Sequence, residues 1–113
     1  MALYNDLAVY KVSYDLLVEI FQFVKNFNKE YKYTVGEKLK NETLEMIMNI
    51  FRANSRQQKN EVLQTARENV EVIRVLLRLV KDLKQIDLNK FVIINKKIEE
   101  VSKQLAGWQK SQK

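Results

Sequence analysis

The sequence predicts an all-α protein, folded as an up-down-up-down antiparallel four-helix bundle. The chain of 113 residues has no proline and only two glycines, whereas sheets and turn-rich folds depend on both. Apolar residues recur every three or four positions through four segments, and short polar stretches separate these segments. A chain of this length builds one hydrophobic core, so we predict a single domain over residues 1–113.

The first predicted helix covers about residues 5–27 and carries apolar residues on two faces. The first stripe consists of Leu7, Tyr10, Tyr14, Leu17, Phe21 and Val24. The second stripe consists of Val9, Val12, Leu16, Ile20, Phe23 and Phe27. Together they are wider than the single face that a helix on a small core needs. Two interpretations stay open: the tyrosine hydroxyls reach water, or the second stripe meets another subunit.

The second predicted helix covers about residues 34–53, after a polar and aromatic connector at residues 28–33. Thr34 is a candidate N-cap, and Glu37 completes the pattern of a capping box. The apolar residues of this helix again form a wide arc: Leu39, Leu44, Met46, Ile47, Ile50 and Phe51. Because exposed apolar surface favours burial against another molecule, the wide arcs of two helices predict that the protein self-associates.

The last two predicted helices cover about residues 56–83 and 88–110. Ser55 is a candidate cap for the first of them, and Asp87 is a natural N-cap for the second. The third helix has one apolar face, formed by Val62, Ala66, Val70, Ile73, Leu77 and Val80. The fourth has a seam with alternating steps of three and four, formed by Phe91, Ile94, Ile98, Val101, Leu105 and Trp108. Such a seam is expected when helices pack nearly parallel to one another.

The net charge of +6 comes entirely from the second half of the chain. Residues 1–55 contain 7 Lys/Arg and 7 Asp/Glu, whereas residues 56–113 contain 13 Lys/Arg and 7 Asp/Glu. A one-sided excess of positive charge predicts a polyanionic partner. The candidate binding residues lie on the third and fourth helices: Arg67, Arg74, Arg78, Lys81, Lys96, Lys103 and Lys110.

The lysine rows allow two interpretations. Lys96 and Lys103 point away from the apolar seam, so they can meet the phosphates of a nucleic acid. Few side chains beside them would read base edges, which predicts binding by charge and shape. The same rows are also typical of the solvated face of an ordinary helix.

Two arginines interrupt an aliphatic run and call for a separate explanation. Arg74 and Arg78 are flanked by Val, Ile and Leu, an environment that favours partial burial and pairing with carboxylates. Glu71 can pair with them along the helix, and Glu99 or Glu100 can do so from the fourth helix. A structural role at a subunit interface is therefore an alternative to phosphate binding.

The residue types that most enzymes require are missing. The chain has neither histidine nor cysteine, so it lacks the commonest general base, the commonest zinc ligand and the strongest nucleophile. Helical ribonucleases that use an Arg and His pair are excluded for the same reason. Glycine is too scarce for a loop that cradles phosphate. We therefore predict a binding protein that is not an enzyme and uses no metal or other cofactor.

The sequence also predicts a cytoplasmic protein without a membrane partner. Its first residues do not combine a basic stretch with an apolar one, as a secretion signal would. No apolar run approaches the roughly 20 residues of a membrane-spanning helix. The lack of cysteine agrees with a reducing compartment.

Three stretches, taken in their order and spacing, resemble a known bacterial family. They are YKYTVGEKL at residues 31–39, VIRVLLRLVKDL at residues 72–83 and EVSKQLAGW at residues 100–108. From about Leu7 to Trp108 the chain resembles four-helix bundle proteins that include the accessory variability determinant (Avd) of diversity-generating retroelements. Relatives of that protein are encoded in intervening sequences of 23S ribosomal RNA genes.

The resemblance implies a ring-like homo-oligomer, a homopentamer, with a basic surface. It also implies that Arg74 and Arg78 are basic residues of the oligomer surface or of its subunit interface. It also implies a non-catalytic accessory role, in which the protein associates with a reverse transcriptase and with RNA or DNA during mutagenic reverse transcription. The alternative within the family is an oligomeric structural or interaction protein of the 23S rRNA intervening-sequence type. That alternative has no dedicated nucleic-acid role.

Overall fold

The computed structural model describes residues 7–112, and every regular element among them is an α-helix. The helices are α1 (Ala8–Val24), α2 (Lys29–Lys32), α3 (Val35–Ser55), α4 (Asn60–Asp82) and α5 (Leu88–Lys110). The four long helices confirm the predicted all-α class. The short α2 is a single turn inside the predicted connector. The predicted helix start near Asn5 lies outside the described residues.

The four long helices pack side by side as a bundle. α1 and α4 each contact both α3 and α5, and the molecule measures 44 × 23 × 21 Å. A helix of this length spans about 30 Å, so the short connections cannot return to its start and successive helices run antiparallel. The amide of Asn28 donates to Oε1 of Gln85 at 2.7 Å. This bond joins the connection that follows α1 to the connection that follows α4. An up-down-up-down order places these two connections at the same end of the bundle.

The core is built from the faces that the periodicity of the last two helices predicted. In α4 all six residues of the predicted face are buried, and in α5 the four central residues of the seam are buried. Phe91 and Trp108, at the ends of the seam, pack against the core while staying partly exposed. Fully burying one such aliphatic side chain contributes about 1.5–3 kcal/mol, so each of these two faces adds substantially to the stability of the bundle.

In α1 the second stripe faces the core, and Leu16 and Ile20 on it are completely buried. The first stripe joins the core only at its end, where Val24 is 1% exposed. In its middle Tyr14 is 50% exposed and Phe21 is also exposed. Of the two interpretations, contact of the second stripe with another subunit is therefore wrong, and Tyr14 reaches water.

Of the three predicted helix caps, one is confirmed in full, one in position only, and one is wrong. Asp87 caps α5, since its Oδ1 accepts the amide of Lys90 at 2.7 Å. Thr34 occupies the N-cap position of α3 but makes no side-chain cap bond, and its hydroxyl donates to the carbonyl of Glu30 at 2.8 Å. Ser55 is the last residue of α3, and its hydroxyl donates back to the carbonyl of Arg52. Hydroxyls readily make such local bonds to preceding carbonyls, in competition with capping.

A buried polar network that the sequence did not predict joins α3 to α4. Nδ2 of Asn49 donates to Oδ1 of Asn69 at 2.9 Å, and Nδ2 of Asn69 donates to Oε2 of Glu42 at 2.7 Å. The two asparagines are only 6% and 5% exposed. Because buried polar groups must find partners, this network fixes how α3 and α4 align along their lengths.

Candidate nucleic-acid interface

The seven predicted binding residues lie on α4 and α5, two helices that pack against each other in a defined register. Arg67 donates to Oε1 of Gln109 at 2.6 Å, and Arg74 donates twice to the carboxylate of Glu99, at 3.0 Å each. This register brings Lys110 towards the level of Arg67. We call the surface the α4/α5 basic face; it comprises Arg67, Arg74, Arg78, Lys81, Lys96, Lys103 and Lys110.

Four of these side chains are exposed. The side chain of Arg78 is 78% exposed, and its Nε lies 3.9 Å from the carboxylate of Asp82, a long and solvent-screened ion pair. Lys96, Lys103 and Lys110 form an exposed row on α5. Their spacing of seven residues corresponds to about 10.5 Å along a helix. These four cations are the part of the face that a polyanion can reach.

Arg74 has a different environment, as the pairing prediction anticipated. Its guanidinium binds the carboxylate of Glu99 through two parallel hydrogen bonds and also pairs with Glu71 one turn away. A bidentate arginine–carboxylate pair is geometrically specific, so Arg74 holds α4 against α5. Two carboxylates offset its charge, and it therefore adds little to the attraction of phosphate.

Arg67 and Lys81 are intermediate cases. Arg67 is half-buried, and its bond to Gln109 crosses between the helices. The ammonium of Lys81 lies 4.8 Å from the centre of the Phe91 ring and 3.6 Å from the carboxylate of Asp82. Cation–π and carboxylate contacts of this kind restrain the side chain while leaving its charge partly accessible.

A second basic cluster, which the sequence did not assign to a site, joins α5 to α1. The ammonium groups of Lys90 and Lys97 donate to the carboxylate of Glu19, at 3.2 and 2.9 Å. Burial acts to raise the pKa of Glu19, but the hydrogen bonds and charges of Lys97 and Lys90 outweigh it and lower that pKa below 4.5. Glu19 therefore holds these two lysines on the α1 side of α5, away from the α4/α5 basic face.

We expect this cluster to make stability depend on pH. Because the pKa of Glu19 is lower in the folded protein, its stabilising effect is complete well above pH 4.5 and is lost as the pH falls through the folded-state pKa. Glu19→Gln should therefore destabilise the protein near neutral pH, with a difference from the parent that shrinks under acid conditions. Urea denaturation across that pH range measures this difference. A difference that does not change with pH would contradict the assignment.

Apolar side chains are exposed on all four long helices. Those of α5 are Leu88, Val92 and Ile93, and most of the others fall in two groups. The first, the α1/α3 apolar face, comprises exposed Tyr14, Phe21, Leu44, Met48 and Phe51 with partly buried Tyr10 and Leu17. It contains an open groove of about 230 Å³, lined by Tyr10, Ile47, Met48 and Phe51. The second, the α4 apolar stripe, comprises Val72, Val75 and Leu79, of which Val75 is 68% exposed. The wide arcs of the sequence predicted the first surface. The second surface was not predicted, because its residues stand in an aliphatic run that is typical of a buried core segment.

Residues 7–112 contain no group of three or more Asp, Glu, His or Cys side chains arranged to hold a metal ion. None of the helices described here combines the length and the apolar character that crossing a membrane requires.

The fold and the charge distribution define a small four-helix bundle protein whose excess positive charge lies in the second half of the chain. The model of the bAvd-like family matches residues 7–112, so the chain belongs to this family. This match confirms the resemblance predicted from the three sequence stretches. No curated protein shows significant similarity to the chain.

Proposed function

We propose that this protein is a non-catalytic accessory protein of a diversity-generating retroelement. It binds template RNA or its cDNA through the α4/α5 basic face, associates with a reverse transcriptase in the cytoplasm, and supports mutagenic reverse transcription. Membership of the bAvd-like family supports the proposal. The single observation that carries the binding part is the α5 row of Lys96, Lys103 and Lys110, which is exposed beside Arg78.

The chemistry of the α4/α5 basic face favours contact with the nucleic acid backbone. Its exposed groups are ammonium and guanidinium cations, which neutralise phosphates and release condensed counterions. Arg74, whose planar fork is suited to bidentate recognition, is already bound to Glu99. Affinity should therefore fall steeply with salt and depend little on base sequence.

Self-association is part of the proposed function, in the form of a ring-like homopentamer. The α1/α3 apolar face supports this, because a monomeric protein rarely leaves a continuous apolar patch of several aromatic and aliphatic residues in water. An oligomer would present several copies of the α4/α5 basic face to one nucleic acid. Linked copies bind more tightly than a single copy without any new type of contact.

Neutralising two lysines of the α5 row tests the nucleic-acid role. We expect Lys96→Gln/Lys103→Gln to weaken binding to a fluorescent RNA hairpin and to reduce the slope of log K against log salt by about 2, one for each lost phosphate contact. The control is Lys11→Gln/Lys29→Gln, which removes the same charge from exposed positions on α1 and α2. Fluorescence anisotropy at several salt concentrations gives both slopes.

Two results would overturn the nucleic-acid role: no binding of the hairpin at low salt, or the same slope for both double variants. The polymerase role is tested separately, by co-purification with the reverse transcriptase encoded at the same locus. A chain that self-associates but retains neither RNA nor that polymerase would instead be an interaction protein of the 23S rRNA intervening-sequence type.

A further inference from the structure

We infer that a polar pocket at one end of the bundle holds an unpaired base of the nucleic acid, and that it favours a base with an exocyclic amino group, adenine or cytosine, over uracil. This inference rests on the nucleic-acid binding in the proposed function and adds a base preference at one nucleotide. The pocket lies where the connection from α3 to α4 meets the end of α5. We call it the amide pocket; its lining includes Arg56, Gln57, Gln58, Asn60, Glu61 and Gln109.

The amide pocket has the size and the polarity for a polar ligand. Its volume is about 1050 Å³, and sites for small molecules measure roughly 300–1,000 Å³. Apart from Val62, the residues between 7 and 112 that line it all have polar side chains. A nucleobase offers hydrogen-bonding groups along its edges, so it matches this lining better than an apolar ligand does.

Three of the lining amides are available for a ligand. Gln57, Gln58 and Asn60 are exposed, and their side chains make no hydrogen bond within the part of the chain that the structure describes. An amide presents a donor and an acceptor side by side, so it pairs with an adjacent acceptor and donor on a base edge, such as N7 and N6 of adenine. The amides of Gln64 and Gln109 differ, because they bond to each other at 3.1 Å.

The charges of the amide pocket favour a base over a phosphate. Glu61 and Glu68 place two carboxylates in its lining, which repel a phosphate but accept hydrogen bonds from the amino group of cytosine or adenine. Uracil has no such amino group. The guanidinium of Arg56 forms no ion pair among residues 7–112, so its planar group is free to stack on a base.

The connection that carries the free amides is held in place. The ammonium of Lys59 donates to the carbonyl of Ala53 at 3.0 Å and also to the carbonyl of Arg56. These bonds tie residues 56–59 to the end of α3. A restrained connection loses less conformational entropy when a ligand binds, which favours recognition at this place.

The amide pocket adjoins the proposed binding row. Gln109, which lines the pocket, directly precedes Lys110, the last lysine of the α5 row. Arg67, on the α4/α5 basic face, donates to Oε1 of Gln109 at 2.6 Å. A strand whose phosphates follow the row therefore reaches the pocket with its next nucleotide. The row supplies most of the affinity without reading sequence, and the pocket adds the preference for a base.

Binding of single-stranded oligo(A), oligo(C) and oligo(U) RNA tests the inference. Fluorescence anisotropy at low salt should show that the parent protein binds oligo(A) and oligo(C) at least about fivefold more tightly than oligo(U), as one base-edge contact predicts. Gln57→Ala/Gln58→Ala/Asn60→Ala should bring this ratio close to unity. The slope of log K against log salt should stay unchanged in this pocket variant, because no charge is removed.

Two further variants serve as controls. Gln22→Ala/Asn26→Ala/Asn41→Ala removes three amides from exposed positions outside the pocket and should keep the ratio of the parent. Lys96→Gln/Lys103→Gln should weaken the binding of all three oligomers alike, and it should also keep that ratio.

The outcomes separate the two levels of the proposal. If none of the oligomers binds the parent protein at low salt, the nucleic-acid role fails and this inference fails with it. If the parent binds all three equally, or the pocket variant keeps the ratio of the parent, only base recognition by the amide pocket is overturned. Urea denaturation verifies that each variant is folded.

Discussion

Replacing Gly36 by alanine is expected to destabilise the protein by about 1–3 kcal/mol, because the added methyl group enters space that is already filled. A Cβ at this position would lie 2.8 Å from Cγ1 of Val24, 3.0 Å from the carbonyl oxygen of Tyr31 and 3.2 Å from Cδ2 of Phe27. The backbone oxygen of Tyr31 cannot rotate out of the way, so α3 must move away from α2 as well as from Val24 at the end of α1. Urea denaturation of the variant and the parent measures the change.

Gly107 provides the matched control for this substitution. It also lies in a helix, yet a Cβ there would meet no atom within 4 Å. Gly107→Ala should therefore stabilise the protein by about 0.5–1 kcal/mol, since glycine in a helix carries an entropic cost that alanine avoids. The two variants thus have opposite expected signs. Equal effects of the two substitutions would show that α1 and α3 do not approach closely at Gly36.

Removing the side chain of Asn69 is expected to cost about 2–4 kcal/mol, because the Asn49 amide loses its acceptor and the Glu42 carboxylate keeps only its 3.7 Å ion pair with Lys38. A buried acceptor that loses its donor pays the full cost of desolvation, and this cost is greater for a charged group. Urea denaturation of Asn69→Ala gives the value. Asn41→Ala, at an exposed position on α3, is the control and should stay within about 0.5 kcal/mol of the parent.

A double-mutant cycle shows whether the loss at Asn69 comes from the network. If Asn49 and Asn69 act through their hydrogen bond, the double variant Asn49→Ala/Asn69→Ala should lose less stability than the two single variants added together. If the stability losses of the two single variants add exactly, each asparagine acts through packing alone. In that case the network does not set the alignment of α3 and α4.

Local sequence patterns predicted those parts of the fold that depend on a single helix. The α5 seam from Ile94 to Leu105 is one case, since a helical period fixes which residues share a face whatever surrounds them. Both partners of Arg74 were among the predicted candidates, because Glu71 is a helical neighbour and Glu99 was one of two carboxylates named on the fourth helix. The partial burial predicted for Arg78 was wrong, since that side chain is 78% exposed.

Features that depend on how helices meet could not be predicted in the same way. Glu19 lies 71 and 78 residues from its two lysine partners, and no periodicity links them. The exposure of Val75 was hidden because its neighbours Ile73 and Leu77 belong to the core, and composition cannot show where a core face ends. For the binding face, the sequence identified the candidate cations, and the structure separated exposed Arg78 from paired Arg74.

The hydrogen bond from Asn28 to Gln85 closes the open end of the hairpin made by α3 and α4. The connections that enter and leave this hairpin are held together, although 57 residues separate them. Because α1 ends and α5 begins a few residues from this bond, breaking it frees the adjacent ends of both helices. Amide protection at the end of α1 and at the start of α5 should therefore change together.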